Sequence, residues 1–123
     1  MTQRDPGVYL EDIEYYASAA VRFIAGDSLE RYLSDEKTRA AVERVLELCG
    51  EAMNNLHKIA PAVADGIPHS RAIIGFRNIL AHGYAEIDHN KVYDIAVTCT
   101  PELLIAVQEA LKNFPAPSQP SDS

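Results

Sequence analysis

Apolar residues recur every three or four positions along most of this chain, the period of helices with one buried face. Leu10, Ile13, Ala17, Ala20, Val21 and Ile24 keep that spacing after Asp5-Pro6, a cap residue followed by proline at the first helical position, and Gly26 supplies the stop. Asp27-Ser28-Leu29-Glu30 has the form of a capping box and opens a short helix through Leu33. Ser34 is the expected cap of the longest helix. There Val42, Val45, Leu46, Cys49, Ala52, Met53, Leu56 and Ile59 make a nearly unbroken stripe, ended by Pro61. Pro61 to Pro68 reads as a loop. A helix from about His69 to Gly83 follows, apolar at Ile73, Ile74, Phe76, Ile79 and Leu80. Asp88 is placed to cap a last helix carrying Val92, Ile95, Ala96 and Cys99. Pro101 is expected to kink or interrupt it before Leu103, Leu104, Val107 and Leu111 continue the apolar face. There are no strand signals and no internal repeat. The pattern predicts an all-α bundle of four long helices plus a short one, in a single domain over residues 1–114. The tail PAPSQPSDS, residues 115–123, is too polar and proline-rich to order itself.

Composition narrows the function. With 123 residues and 47% hydrophobic content there is enough apolar material for a core, and 7% aromatics without Trp make its packing mainly aliphatic. A formal charge of −7 excludes a protein held to nucleic acid by bulk electrostatics. It leaves room for an enzyme that engages a few phosphates locally. Cys49 and Cys99 sit in periodic apolar runs outside CxxC spacing and read as buried thiols of a reduced compartment. No apolar run approaches the roughly 18 residues of a membrane span, and MTQRDPG lacks a signal-peptide core, so a soluble, cytoplasmic protein is expected.

The chemistry is concentrated in Arg77-Asn78-Ile79-Leu80-Ala81-His82-Gly83-Tyr84, which sets a fixed cation, an imidazole and a phenol inside an apolar helical pattern. Burying such groups unpartnered costs free energy, so they are expected to line a site or an interface. At about 100° per residue, Arg77 and Tyr84 fall within roughly 20° of each other, and Asn78 and His82 share a face. Arg77 and His82 are about 140° apart and converge only if the helix ends at His82 before Gly83, or if the Arg77 side chain wraps round.

Arg-x4-His resembles the motif of the HEPN superfamily of ribonucleases. Extended to Arg-x4-His-x-Tyr, within FRNILAHGY, it resembles the HepT toxins. VERVLELCGEAMNNL (42–56), with its Gly-Glu-Ala centre, and AEIDHNKVYDIAVTCTPELL (85–104) also fit that family, so the resemblance covers roughly Val8 to Leu111. It implies a HEPN-type bundle forming a two-fold homodimer, with both motifs facing one cleft. It implies the toxin of a type VII toxin–antitoxin pair, an endoribonuclease needing neither metal nor cofactor. In that reading His82 is the general acid/base, Arg77 binds phosphate and Asn78 supports them. Tyr84 is the acceptor of adenylyl groups from a partner nucleotidyltransferase antitoxin of the MntA type. The residue types suit RNA cleavage, since His moves protons near neutral pH and a forked guanidinium fits the charge of a phosphorane.

Other readings stay open. A helix-terminal His can serve the helix dipole, Arg77 can be a surface ion-pair residue, and Tyr84 a half-buried core residue. Glu51 either pairs with Arg77 or is merely solvated. His57, His69 and His89 read as surface residues, without metal-ligand spacing. Ser34 to Arg44 reads as a solvated helix face, and Tyr15, Tyr16 and Tyr32 as core or dimer packing rather than base-stacking platforms. At the level of the whole chain, the alternatives are a non-catalytic module that binds a nucleotidyltransferase or nucleotide, and a plain structural helical dimer.

Overall fold

The computed structural model of the chain describes residues 5–82 and 86–114, and all regular secondary structure among them is helical. Helix α1 (Pro6–Ile24) begins at the marked proline and stops before Gly26, whose φ of 80° is conformationally cheap only for glycine. Helix α2 (Leu29–Ser34) starts under Ser28, whose hydroxyl accepts from the Arg31 backbone N–H. Helix α3 (Glu36–Ile59) is capped by Asp35, not by Ser34 as expected. The Asp35 carboxylate accepts from the Thr38 N–H at 3.1 Å and the Thr38 hydroxyl at 2.8 Å. Ser34 instead closes α2, its hydroxyl donating to the Arg31 carbonyl. The backbone bond from Thr38, then the hydroxyl, hold the Asp35 carboxyl below its ordinary range.

Two segments depart further from expectation. The presumed loop contains a short helix α4 (Pro61–Asp65): the proline that ends α3 also sits in a first turn, where its missing N–H costs nothing. Pro101 does not interrupt the last helix. Helix α6 (His89–Asp94), a π turn (Ile95–Cys99) and α7 (Thr100–Leu111) follow one another without a break, with helical backbone at both junctions. A proline in an α-helix crowds the carbonyl four residues back; widening the turn just ahead of it relieves that contact, and the Thr100 hydroxyl takes up the Ile95 carbonyl at 3.1 Å.

In the core, α1 lies against α3 and α7, and α3 carries α5 (Ser70–His82) on another side. Leu10, Ile13 and Ala17 of α1 form one buried cluster with Val42, Leu46, Met53 and Leu56 of α3, Ile73 and Phe76 of α5, and Leu103 and Val107 of α7. Burying each large side chain stabilises the fold by about 1.5–3 kcal/mol before entropy is counted. Tyr32 is fully buried, which settles it as core; burial above all pushes its phenol up to about 12. Tyr15 is 67% exposed and Tyr16 half-buried against it, edge to face. Cys49 is buried and its thiol is pushed up to about 12 by desolvation, whereas Cys99 is only half-buried, contrary to expectation.

The three histidines read as surface residues are half-buried, each beside a carboxylate: His57 with Asp65 at 3.7 Å, His69 with Glu102 at 2.6 Å, His89 with Glu43 at 3.2 Å. His69 also takes a left-handed φ of 68° where the chain turns into α5, and its link to Glu102 ties that turn to α7. Among the described residues, no helix is long and apolar enough to cross a membrane.

Candidate functional site

Helix α5 has two unlike faces. Ile73 and Phe76 are buried in the core, with Ile74 and Leu80 packed at its margin. On the outward side Ala72, Gly75, Asn78, Ile79 and His82 are exposed, Ile79 to 54%. Arg77 lies between the two faces, and what places it is a glycine on the neighbouring helix. A Cβ at Gly50 of α3 would collide with Arg77 Cβ and stand 2.7 Å from the Ile73 carbonyl oxygen. The two helices therefore cross closely only because Gly50 has no side chain.

The next residue of α3 completes the contact. Arg77 Nη2 donates to Glu51 Oε1, and Arg77 Nη1 donates to Asn78 Oδ1 at 2.8 Å. Both terminal nitrogens of the guanidinium are thus engaged, one by the facing helix and one by the adjacent residue. The Arg77 side chain is 27% exposed and that of Glu51 44%. A partly solvated pair of this kind contributes only about 0–1 kcal/mol to stability, so its consequence is where it holds the cation.

The sequence left Glu51 open between pairing and solvation; the structure pairs it. Asn78 and His82 share the outward face, as their spacing predicts, and His82 is the last residue of α5. The expected turn at Gly83 falls outside the described residues, and the Arg77 head group is directed to Asn78. Tyr84 lies outside the described residues. Beside the site, Glu43, Glu47 and Glu51 stand four residues apart along α3, and a groove lined by Glu43, Arg44, Glu47, Leu80 and Ile87 runs between α3 and the end of α5, with Arg44 paired to Glu47 at 3.4 Å. Among the described residues no group of His, Cys, Asp and Glu has the arrangement of a metal site.

The fold and site define a helical bundle that presents a braced arginine and a helix-terminal histidine from one exposed helix. Residues 9–110 match the ribonuclease HepT-like family, and the chain belongs to it. A provisionally named RNase of Methanocaldococcus jannaschii is 28% identical over 116 residues, covering 93% of each chain. One of Caldanaerobacter subterraneus subsp. tengcongensis is 29% identical over 109 residues, 89% of this chain and 96% of its own. A probable ribonuclease HepT of Thermococcus cleftensis is 35% identical over 80 residues, 65% of this chain and 72% of its own. No solved structure gives a significant match.

Proposed function

We propose that this chain is the ribonuclease toxin of a type VII HEPN/MNT toxin–antitoxin pair, cutting RNA by attack of a ribose 2′-oxygen on the adjacent phosphorus. The observation that carries this reading is the Arg77 guanidinium braced between Glu51 and Asn78, on the helix that ends in an exposed His82, in a HepT-like chain. In the reaction the 2′-O–P bond forms and the P–O5′ bond breaks, leaving a 2′,3′-cyclic phosphate and a 5′-OH. The 2′-OH gives up a proton and the 5′-oxygen gains one, the two transfers suited to an imidazole. Arg77 meets the negative charge that gathers on the non-bridging oxygens. None of these roles calls for a metal or cofactor. Asn78 and His82 are exposed on the outward face of α5, and RNA meets Arg77 at the edge of that face.

A two-fold dimer through that same face sets two His82 side chains about one phosphate, one as base and one as acid. Exposed Ile79, flanked by the small residues Ala72 and Gly75, supports such an interface. Tyr84, two residues beyond His82, is the proposed adenylyl acceptor. Its oxygen attacks the α-phosphorus of ATP on the partner nucleotidyltransferase, pyrophosphate leaves, and the added phosphate charge occupies Arg77 and repels RNA.

The test is cleavage of labelled RNA by the unmodified chain in EDTA, beside Arg77→Ala, His82→Ala and an all-deoxy substrate. Cutting that survives chelation, spares DNA and falls by at least about 10³-fold in both variants is expected. A folded, unmodified chain that leaves RNA whole would instead be a binding module for the nucleotidyltransferase.

A further inference from the structure

We infer that Glu51 is the positioning residue for Arg77: from the facing helix it fixes the guanidinium in the orientation in which the transition-state phosphate is met. The kinetic part of this inference rests on the ribonuclease reading above. An arginine side chain has four rotatable bonds, and a solvated one samples many positions of its head group. Here that freedom is removed at three points. The Cβ of Arg77 is pressed against α3 at the gap left by Gly50. One terminal nitrogen is held by Glu51 and the other by Asn78. Asn78 sits on the same helix as Arg77 and moves with it. Among the described residues, it is Glu51 that ties the cation to the body of the bundle, through the longest helix, α3.

The charge of Glu51 makes the inference testable, because positioning and masking have opposite signatures. A carboxylate beside Arg77 offsets the cation and weakens ground-state attraction for RNA. Its benefit can therefore appear only in the transition state, where geometry matters most. Glu51→Gln keeps the size of the side chain and an oxygen that accepts from Arg77, but loses the charge that makes the bond strong. This variant is expected to lower kcat roughly tenfold or more while KM for RNA stays level or falls. In an Arg77→Ala background the same change is expected to do nothing further, since its effect passes through Arg77.

The measurement is the kcat and KM of wild type, Glu51→Gln, Arg77→Ala and the double variant, with thermal melting to confirm that all are folded. It is joined by NMR of the Arg77 Nη groups, whose hindered rotation in the wild type should quicken in Glu51→Gln. Higher kcat/KM in Glu51→Gln would make Glu51 a mask and overturn the inference. So would unchanged kcat, or a loss that adds to that of Arg77→Ala. A wild-type chain with a hindered Arg77 that cuts no RNA would overturn the ribonuclease reading while leaving the anchoring of the guanidinium by Glu51 upheld.

Discussion

Where α1 meets α3 and α7, the interior is filled by large side chains with no access to solvent: Leu10, Ile13, Leu46, Met53, Leu103 and Val107. Where α3 meets α5 at Gly50, the contact is made by a missing side chain and completed by the polar trio of Glu51, Arg77 and Asn78. The first region is cohesive because many residues each contribute a little, and its neighbours can partly close around a loss. The second has no such reserve. One added carbon there moves a helix, and the helix carries the chemistry. Stability and activity are thus expected to depend on different residues of the same helix α3.

The most disruptive way to test that division is Leu46→Ala. A fully buried leucine truncated in a packed core costs about 2–5 kcal/mol. Urea unfolding should show that loss, while RNA cleavage per folded molecule, assayed well below the new midpoint, stays near wild type. If cleavage vanished in a variant still folded, the interior would be part of the site and the comparison would fail.

Gly50→Ala attacks the other region. The added Cβ has to displace Arg77 Cβ or the Ile73 backbone, and overpacking of this kind costs about 1–3 kcal/mol, partly offset by the better helix propensity of alanine. The stability loss should be smaller than that of Leu46→Ala, yet cleavage should fall on the order of tenfold or more as Arg77 leaves its brace. Full activity in a folded Gly50→Ala chain would mean that the closeness of the crossing is irrelevant to the chemistry.

Helix starts were legible because apolar spacing and caps both marked them: Asp5-Pro6 and Asp88 stand where helices begin, and the box read over Asp27 to Glu30 opens one residue later, under Ser28. Junctions were less so. Ser34 and Asp35 are both competent caps, and only the three-dimensional course of α2 decides between them. Helix α4, at five residues, is too short to show a period. A π turn leaves no side-chain signature, and Pro101 announces that something must give without saying how. At the site, the sequence grouped Arg77, Asn78 and His82 because they are close in the chain. Glu51 is 26 residues from Arg77, so its pairing depends on where α3 and α5 cross. Gly50 was the available clue: a glycine within a strong helical stripe marks a possible close approach, although glycine alone does not name the neighbour.

The finest test uses two adjacent residues of α3, Cys49 in the interior and Gly50 at the crossing. Burial raises the Cys49 thiol from 9.0 to about 12. In the unfolded chain the thiol ionises as pH passes about 9, while in the folded chain it stays neutral until about 12. The stability that follows from sheltering a neutral thiol is therefore fully present below about pH 9 and is lost above it, at up to about 1.4 kcal/mol per pH unit. Tyr32 is shifted in the same direction but from 10.0, and Cys99, raised from the same 9.0, is common to the proteins compared, so between about pH 9 and 10 their difference reports Cys49. Cys49→Ala removes the titrating group. The stability gap between it and wild type, whatever its size near neutral pH, should narrow by about 1 kcal/mol from about pH 8 to 10. The gap for Gly50→Ala, which touches no thiol, should stay level over the same interval. Unfolding free energies of the three proteins at each pH decide it: parallel curves for wild type and Cys49→Ala would mean that the thiol ionises as readily inside the fold as outside it, and that the interior along α3 is not closed to water.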